Sequence, residues 1–144
     1  MLKIKMAAAA ILVGLFTLAG IDASASHGDT CLGIHADNNG TSADQIIHGT
    51  SGDDVLFGGG GVDEIYGHGG ADIICGGDTG DYIEGNGGKD IIHGQNGDYD
   101  WVVGGSDADT LYGNSGCCDS ADGGDGTNDW CYAEQPFNCE YGDL

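Results

Sequence analysis

Aspartates recur along this chain at a spacing that suits the capture of hard cations. Gly58–Tyr66 places Asp63 sixth and the apolar Ile65 eighth. The next three nine-residue units repeat this with Asp72 and Ile74, Asp81 and Ile83, and Asp90 and Ile92. Asp54 and Leu56 stand in the same places in residues 49–57, and Asp109 and Leu111 in residues 104–112. An ionised carboxylate is a hard oxygen ligand, and the glycines before it leave backbone carbonyls unobstructed. Calcium takes about six to eight oxygens at roughly 2.3–2.6 Å and accepts carbonyls readily. Magnesium demands a stricter octahedron and keeps its waters. The chemistry implied is therefore the binding of several Ca²⁺ ions. Glycine and aspartate are also turn formers, but turn formation alone does not explain why an aliphatic residue follows each aspartate at the same distance.

Other units depart from the pattern. Residues 94–103, 113–122 and 123–132 each hold ten residues, with Asp100 and Val102, Asp119 and Ala121, and Asp129 and Cys131 in the key places. An added residue can pull a carbonyl out of reach at these three positions. Residues 40–48 keep Ile47 but carry Gln45 in place of the aspartate. About ten units result.

The elements that position the acids follow from the same register. The first six residues of a unit form a turn, where glycine permits positive φ and close backbone approach. The last three form a short strand, whose side chains alternate between two faces. Ile47, Leu56, Ile65, Ile74, Ile83, Ile92, Val102 and Leu111 would then line a thin interior. Two units complete a coil, and coils stack about 4.8 Å apart. Asp54, Asp72, Asp90 and Asp109 fall in one column, and Asp63, Asp81 and Asp100 in the other.

Composition supports a need for cations. The formal net charge is −21, with only three Lys and Arg against 24 acidic residues, and 30 residues are glycine. Such a chain repels itself and loses much backbone entropy on ordering, so apolar burial alone is not expected to fold it. The shortage of basic residues argues against nucleic acid and anionic membranes as partners. Lys3 and Lys5 precede an uncharged apolar run from Met6 to Ile21, and Ala23-Ser24-Ala25 follows. This order reads as a secretory signal cleaved after Ala25. The run is shorter than the ~20 residues a spanning helix needs, so no membrane insertion is expected. An even number of cysteines in an exported chain (Cys31, Cys75, Cys117, Cys118, Cys131 and Cys139) suggests disulfides, and the spacings lack paired zinc knuckles.

Residues 49–112 resemble the RTX, or hemolysin-type, calcium-binding repeats, whose nonapeptide is G-G-x-G-x-D-x-U-x with U a large apolar residue. The resemblance implies an all-β fold, a parallel β-roll built as a two-sheet right-handed solenoid. It also implies that the sixth-position aspartates bind Ca²⁺. That role carries over to Asp54, Asp63, Asp72, Asp81, Asp90, Asp100 and Asp109, and extends toward Asp119 and Asp129. Carbonyls of the glycine turns join them, at such residues as Gly59, Gly61, Gly70, Gly77 and Gly88. The layout is similar to a subgroup of small exported bacterial proteins marked here by Cys31, Ile74-Cys75-Gly76-Gly77 and Asn138-Cys139-Glu140. Many members of the family leave the cell through a C-terminal signal, whereas this chain carries an N-terminal one. In the family the repeats also accompany catalytic or pore-forming domains, and none is read here, so toxin or protease function does not transfer.

The resulting division is a signal peptide at 1–25, an N-terminal cap at 26–39, a roll at 40–132 and a C-terminal tail or cap at 133–144. Cysteines cluster where roll ends need closing, since ends expose unpaired strand edges. Cys75 is an outward ninth residue with no partner in its own column, so a returning N-terminal segment is expected to bring Cys31 to it. The other four cysteines are expected to form two C-terminal bridges. Three pairings are open, of which a direct Cys117–Cys118 bond is the least favoured because adjacent residues strain a disulfide.

The histidines His27, His35, His48, His68 and His93 form no metal-binding motif, and no nucleophile elbow is present, so no enzyme is read. Outward aromatics Phe57, Tyr66, Tyr82, Trp101 and Tyr112 are expected to cover the sheet faces in part. The function expected is a secreted, Ca²⁺-stabilised structural or adhesive module that meets a cell-surface or matrix component. The alternative is a flat acidic face that binds mineral, ice or surface glycans. Mixed outward residues (Val55, Glu64, Ile73, Tyr82, Ile91) favour the first.

Overall fold

A computed structural model describes residues 30–139 and 141–142. The expected secretory segment with its expected cleavage point, His27 and Glu140 lie outside the described residues.

Thr30–Cys31 (β1) and Ile34–His35 (β2) pair antiparallel as a small hairpin. The solenoid strands follow: Asn38–Asn39 (β3), Ile46–His48 (β4), Val55–Gly59 (β5), Glu64–Gly69 (β6), Ile73–Asp78 (β7), Tyr82–Gly87 (β8) and Ile91–Asn96 (β9). After these come Trp101–Ser106 (β10), Thr110–Tyr112 (β11), Ser120–Gly124 (β12), Trp130–Tyr132 (β13), Gln135–Phe137 (β14) and Tyr141–Gly142 (β15). Alternate strands join alternate sheets. One sheet runs β14-β12-β10-β8-β6-β4 and the other β15-β13-β11-β9-β7-β5-β3, both parallel. The fold is thus the expected parallel β-roll.

Register follows the repeat. Leu56 faces Ile74, which faces Ile92, which faces Leu111; on the other sheet Ile65 faces Ile83, which faces Val102. These residues, with Ile47, Ala121 and Cys131, make the core, a single file between two sheets. The ten-residue units keep this register because the added residue leaves the strand. Tyr99, Cys118 and Asn128 each sit directly before the key aspartate at φ 72°, 71° and 69°. Their bulges lie in the turn, and Asp100, Asp119 and Asp129 stay buried.

Two features exceed the sequence reading. Central strands such as Ile73–Asp78 continue into the next turn, because stacked turns go on exchanging backbone hydrogen bonds. The ladder also extends past residues 40–132: Asn38–Asn39 pairs with β5, and the tail contributes β14 and β15.

The ends are closed by cysteines, in part as expected. Cys31 is bonded to Cys75, and the hairpin lies over Phe57, Cys75 and the flanks of Val55 and Ile73. At the other end Cys131 is bonded to Cys139, closing the core beneath the last coil. The expected second C-terminal bridge is absent: Cys117 and Cys118 are free thiols. The interior-facing Cys131 takes its partner from the tail, which leaves Cys117 and Cys118 only each other.

A core one residue thick makes each interior side chain matter. Ile83→Ala, in a fully buried central position, is expected to cost about 2–5 kcal/mol. Ile91→Ala, on the outer face and 38% exposed, should cost well under about 1 kcal/mol. Denaturant unfolding in saturating Ca²⁺ measures both, and equal losses would contradict the single-file core.

Candidate metal centre

The turns place the aspartates in two columns along the edges of the roll, and one hydrogen bond repeats down each. The backbone N–H of an aspartate donates to Oδ1 of the aspartate one coil later. The first column runs Asp54 to Asp72 (2.8 Å), Asp72 to Asp90 (2.9 Å), Asp90 to Asp109 (2.9 Å) and Asp109 to Asp129 (2.9 Å). The second runs Asp63 to Asp81 (2.9 Å), Asp81 to Asp100 (2.9 Å) and Asp100 to Asp119 (3.1 Å). The sequence-predicted acids are therefore brought together as read, and Asp119 and Asp129 join them.

At seven of these positions the other carboxylate oxygen has no such partner. Oδ2 of Asp63, Asp72, Asp81, Asp90, Asp100, Asp109 and Asp119 is buried without a hydrogen bond. Each faces a glycine at the start of its own unit. At Gly67 the space a Cβ would fill is bounded by Asp72 Oδ2 and the carbonyl of Gly85; at Gly76 it is bounded by Asp81 Oδ2 and the carbonyl of Gly94. Two electron-rich oxygens bordering one small space repel unless a proton or a cation lies with them. Among the described residues no three His, Cys, Asp or Glu side chains converge, so backbone oxygens must supply much of any coordination. Calcium tolerates such a donor set better than the softer metals do.

The predicted carbonyl donors lie in the turns. Gly59, Gly61, Gly70, Gly77 and Gly88 all have φ between 93° and 122°. Successive turns nearly touch there: a Cβ at Gly77 would strike the Gly59 carbonyl, and one at Gly88 the Gly70 carbonyl. These glycines and the aspartates fit a hard cation held between coils.

The column ends differ from their middles. Asp54 is only partly buried, and its Oδ2 accepts hydrogen bonds from Thr50 N–H (2.6 Å) and Thr50 Oγ1 (2.9 Å). Gln45 continues the ladder through its N–H to Asp63 Oδ1 at 2.9 Å, while its Oε1 accepts from Thr41 N–H. At the far end Asp119 N–H donates to Glu134 Oε2 at 3.2 Å, making Glu134 the last acid of the second column. Sequence reading left Glu134 in the tail because no glycine turn announces it. The remaining signal is an acid two residues before Pro136, which pairs with interior Ala121.

Burial is the largest influence on the seven acids whose Oδ2 is unpartnered, and it raises each of them. Asp63, Asp72 and Asp100 are pushed up to about 6, Asp109 to about 7 and Asp81 to about 8, with neighbouring carboxylates adding to the rise and the backbone N–H opposing it. Asp90 and Asp119 are raised by the same burial.

Among the described residues the histidines do not build a second centre. His48 Nδ1 lies 3.0 Å from His68 Nε2 in a stack with Tyr66. His93 stacks on Tyr112 and meets Asn114 Nδ2 at 3.0 Å.

A comparison with protein families matches the RTX calcium-binding nonapeptide repeat, four copies to the model, at residues 39–74, 76–98 and 99–116, more than half of the chain. No curated protein and no solved structure matches the chain.

The raised carboxylates fix the sign of a pH effect in the cation-free protein. Relative to an ordinary value of 3.8, folding favours the protonated acids. Their contribution to stability is complete below about pH 4 and is lost as pH rises through about 6–8. Desalted protein should therefore gain β-sheet circular dichroism as pH falls from about 9 to about 4. Loss of β signal over that range would contradict the burial described here.

Proposed function

The chain belongs to the RTX calcium-binding nonapeptide repeat family, and from that premise we propose that it is a secreted structural or adhesive module whose roll is held in shape by several calcium ions. The observation that carries the calcium reading is the double column of buried Oδ2 atoms facing glycine carbonyls. Bound there, calcium would supply the positive charge that lets the acids stay ionised at neutral pH. Asp63, Asp72, Asp81, Asp90, Asp100, Asp109 and Asp119 would hold it with turn carbonyls, and Glu134 would complete the last site. Because the sites exist only in the folded coils, binding contributes directly to folding free energy.

Secretion is supported by the N-terminal reading and agrees with two disulfides in so short a chain. The adhesive role is supported by one outer face. On the sheet containing β6, β8 and β10, the rings of His48, Tyr66, Tyr82 and Trp101 succeed one another at 5.2–5.9 Å, and Trp101 is 57% exposed. A hollow beside Trp101 is bordered by Ser120, Ala121 and Asp122. Exposed rings beside carboxylate and hydroxyl groups suit sugar rings better than a uniform mineral or ice lattice, which favours surface glycans as the second reading.

Two measurements test the calcium reading. Circular dichroism of the mature, oxidised chain near pH 8 should change from coil to β on adding Ca²⁺, and an unchanged β spectrum in EGTA would sink it. Asp81→Asn separates the two roles of the acid. Its amide keeps the Oδ1 acceptor and can donate to the Gly94 carbonyl, but it lacks the charge. This variant should be more folded than the parent in EGTA at pH 8 and bind fewer calcium ions by calorimetry. Unchanged stoichiometry would place the cation elsewhere.

A further inference from the structure

Cys117 and Cys118 are left unbonded while the other four cysteines are paired. They occupy a ten-residue unit whose added residue, Cys118, sits at φ 71° directly before Asp119. The bulge carries the thiols outward, Cys117 exposed and Cys118 half-buried. The Cys118 thiol donates to Cys117 Sγ at 2.9 Å. The Cys117 backbone is anchored to the coil before it: its N–H donates to Asp98 Oδ1 at 2.9 Å, and its carbonyl accepts from Tyr99 N–H at 3.0 Å. The fold thus holds two sulfurs against each other at the surface, on a backbone fixed at both ends of the Cys117 peptide.

We propose that Cys117 and Cys118 are a reversible modification site, a vicinal disulfide closed by exchange with an external small-molecule disulfide. One cysteine thiolate attacks the external disulfide, forms a mixed disulfide and releases one thiol. The neighbouring thiolate then displaces the second. Two cysteine thiols are oxidised by two electrons, and the external disulfide is reduced to two thiols that take up the two protons. Adjacent Cα atoms lie about 3.8 Å apart across a trans peptide, below the roughly 4.4 Å at which disulfides usually begin. Strained and exposed bridges are the readily reduced ones, so this bond opens more easily than Cys31–Cys75 or Cys131–Cys139. Closure depends on the folded turn that sets the sulfurs together. On the calcium reading above, it therefore takes place in the calcium-loaded chain and acts on the turn that carries Asp119.

The test is mass spectrometry after trapping of free thiols, with circular dichroism recorded on the same samples. The mature chain is equilibrated in a glutathione redox buffer with Ca²⁺ or with EGTA. With Ca²⁺, the peptide containing Cys117 and Cys118 should be unalkylated and about two mass units lighter than its dithiol. Stepwise dithiothreitol should open it before either other bridge. Cys118→Ser should instead take up one glutathione on Cys117. In EGTA the pair should stay open wherever the spectrum shows an unfolded chain. If the chain stays β-folded in EGTA, the calcium reading fails, and a closed pair there still supports the proposal. Alkylation of both thiols in a folded chain, linkage of either to another cysteine, or opening after the other bridges would overturn it.

Discussion

The structure turns on a carboxylate used twice. Through Oδ1 each sixth-position aspartate from Asp63 onward accepts the backbone N–H of the coil before it, which fixes the stacking distance and the register of the strand that follows. Through Oδ2 it places a buried oxygen beside a glycine carbonyl. The first task needs only a carbonyl-type acceptor, and asparagine would serve. Ionised carboxylates cost several kcal/mol each to bury without a counter-charge. Turn propensity accounts for the shape of each unit but not for the repetition of the acid, rather than the amide, in both columns; the cation proposed above would account for that charge.

The thin interior follows from the same constraint. Turns short enough to bring aspartates into stacked columns leave room for one inward side chain per strand, and the core is a single file from Ile47 to Cys131. Such a file lacks the depth that stabilises a globular domain of similar length, and a net charge of −21 opposes compaction. Surface rings supply some cover. His93, Tyr112 and Tyr132 stack in a column at 4.3 and 4.9 Å on one sheet, and the hairpin covers Phe57 and Cys75 on the same sheet. These additions lie on the faces and leave the edges to the turns.

The nine-residue period made the roll, its interior residues and the two acid columns legible before any coordinates, because each unit repeats one local solution. What escaped the sequence lies where that repetition stops. The sequence does not say where the added residue of a ten-residue unit goes; it is Tyr99, Cys118 or Asn128, and a left-handed backbone lets each leave the turn sideways while the next aspartate stays in line. Glu134 carries no glycine turn, and its place in the column rests on the hydrogen bond it accepts from Asp119 N–H. The cysteine count suggested three bridges. Adjacency of Cys117 and Cys118 and the inward direction of Cys131 are properties of the coil, which a count does not contain. The Cys31–Cys75 bridge was readable because an outward cysteine within a stacked column has a limited choice of partners.

The two ends of the columns show how one chain combines two kinds of stabilisation. In the first coil Gln45 carries no charge, and Asp54 has its exposed oxygen satisfied by Thr50. The N-terminal coils thus place less unpaired charge at the edge of the roll than the middle coils do, and this is where the hairpin and the Cys31–Cys75 bridge are applied. From Asp63 to Asp119 the column acids are buried and their second oxygens unpartnered, so stacking there depends on a neutralising proton or cation. At this end covalent closure is applied where the columns are quiet, while at the other end Cys131–Cys139 closes the coil that also carries buried Asp129. The Cys31–Cys75 bridge fixes the cap and leaves the stacking distance to the aspartate Oδ1 hydrogen bonds.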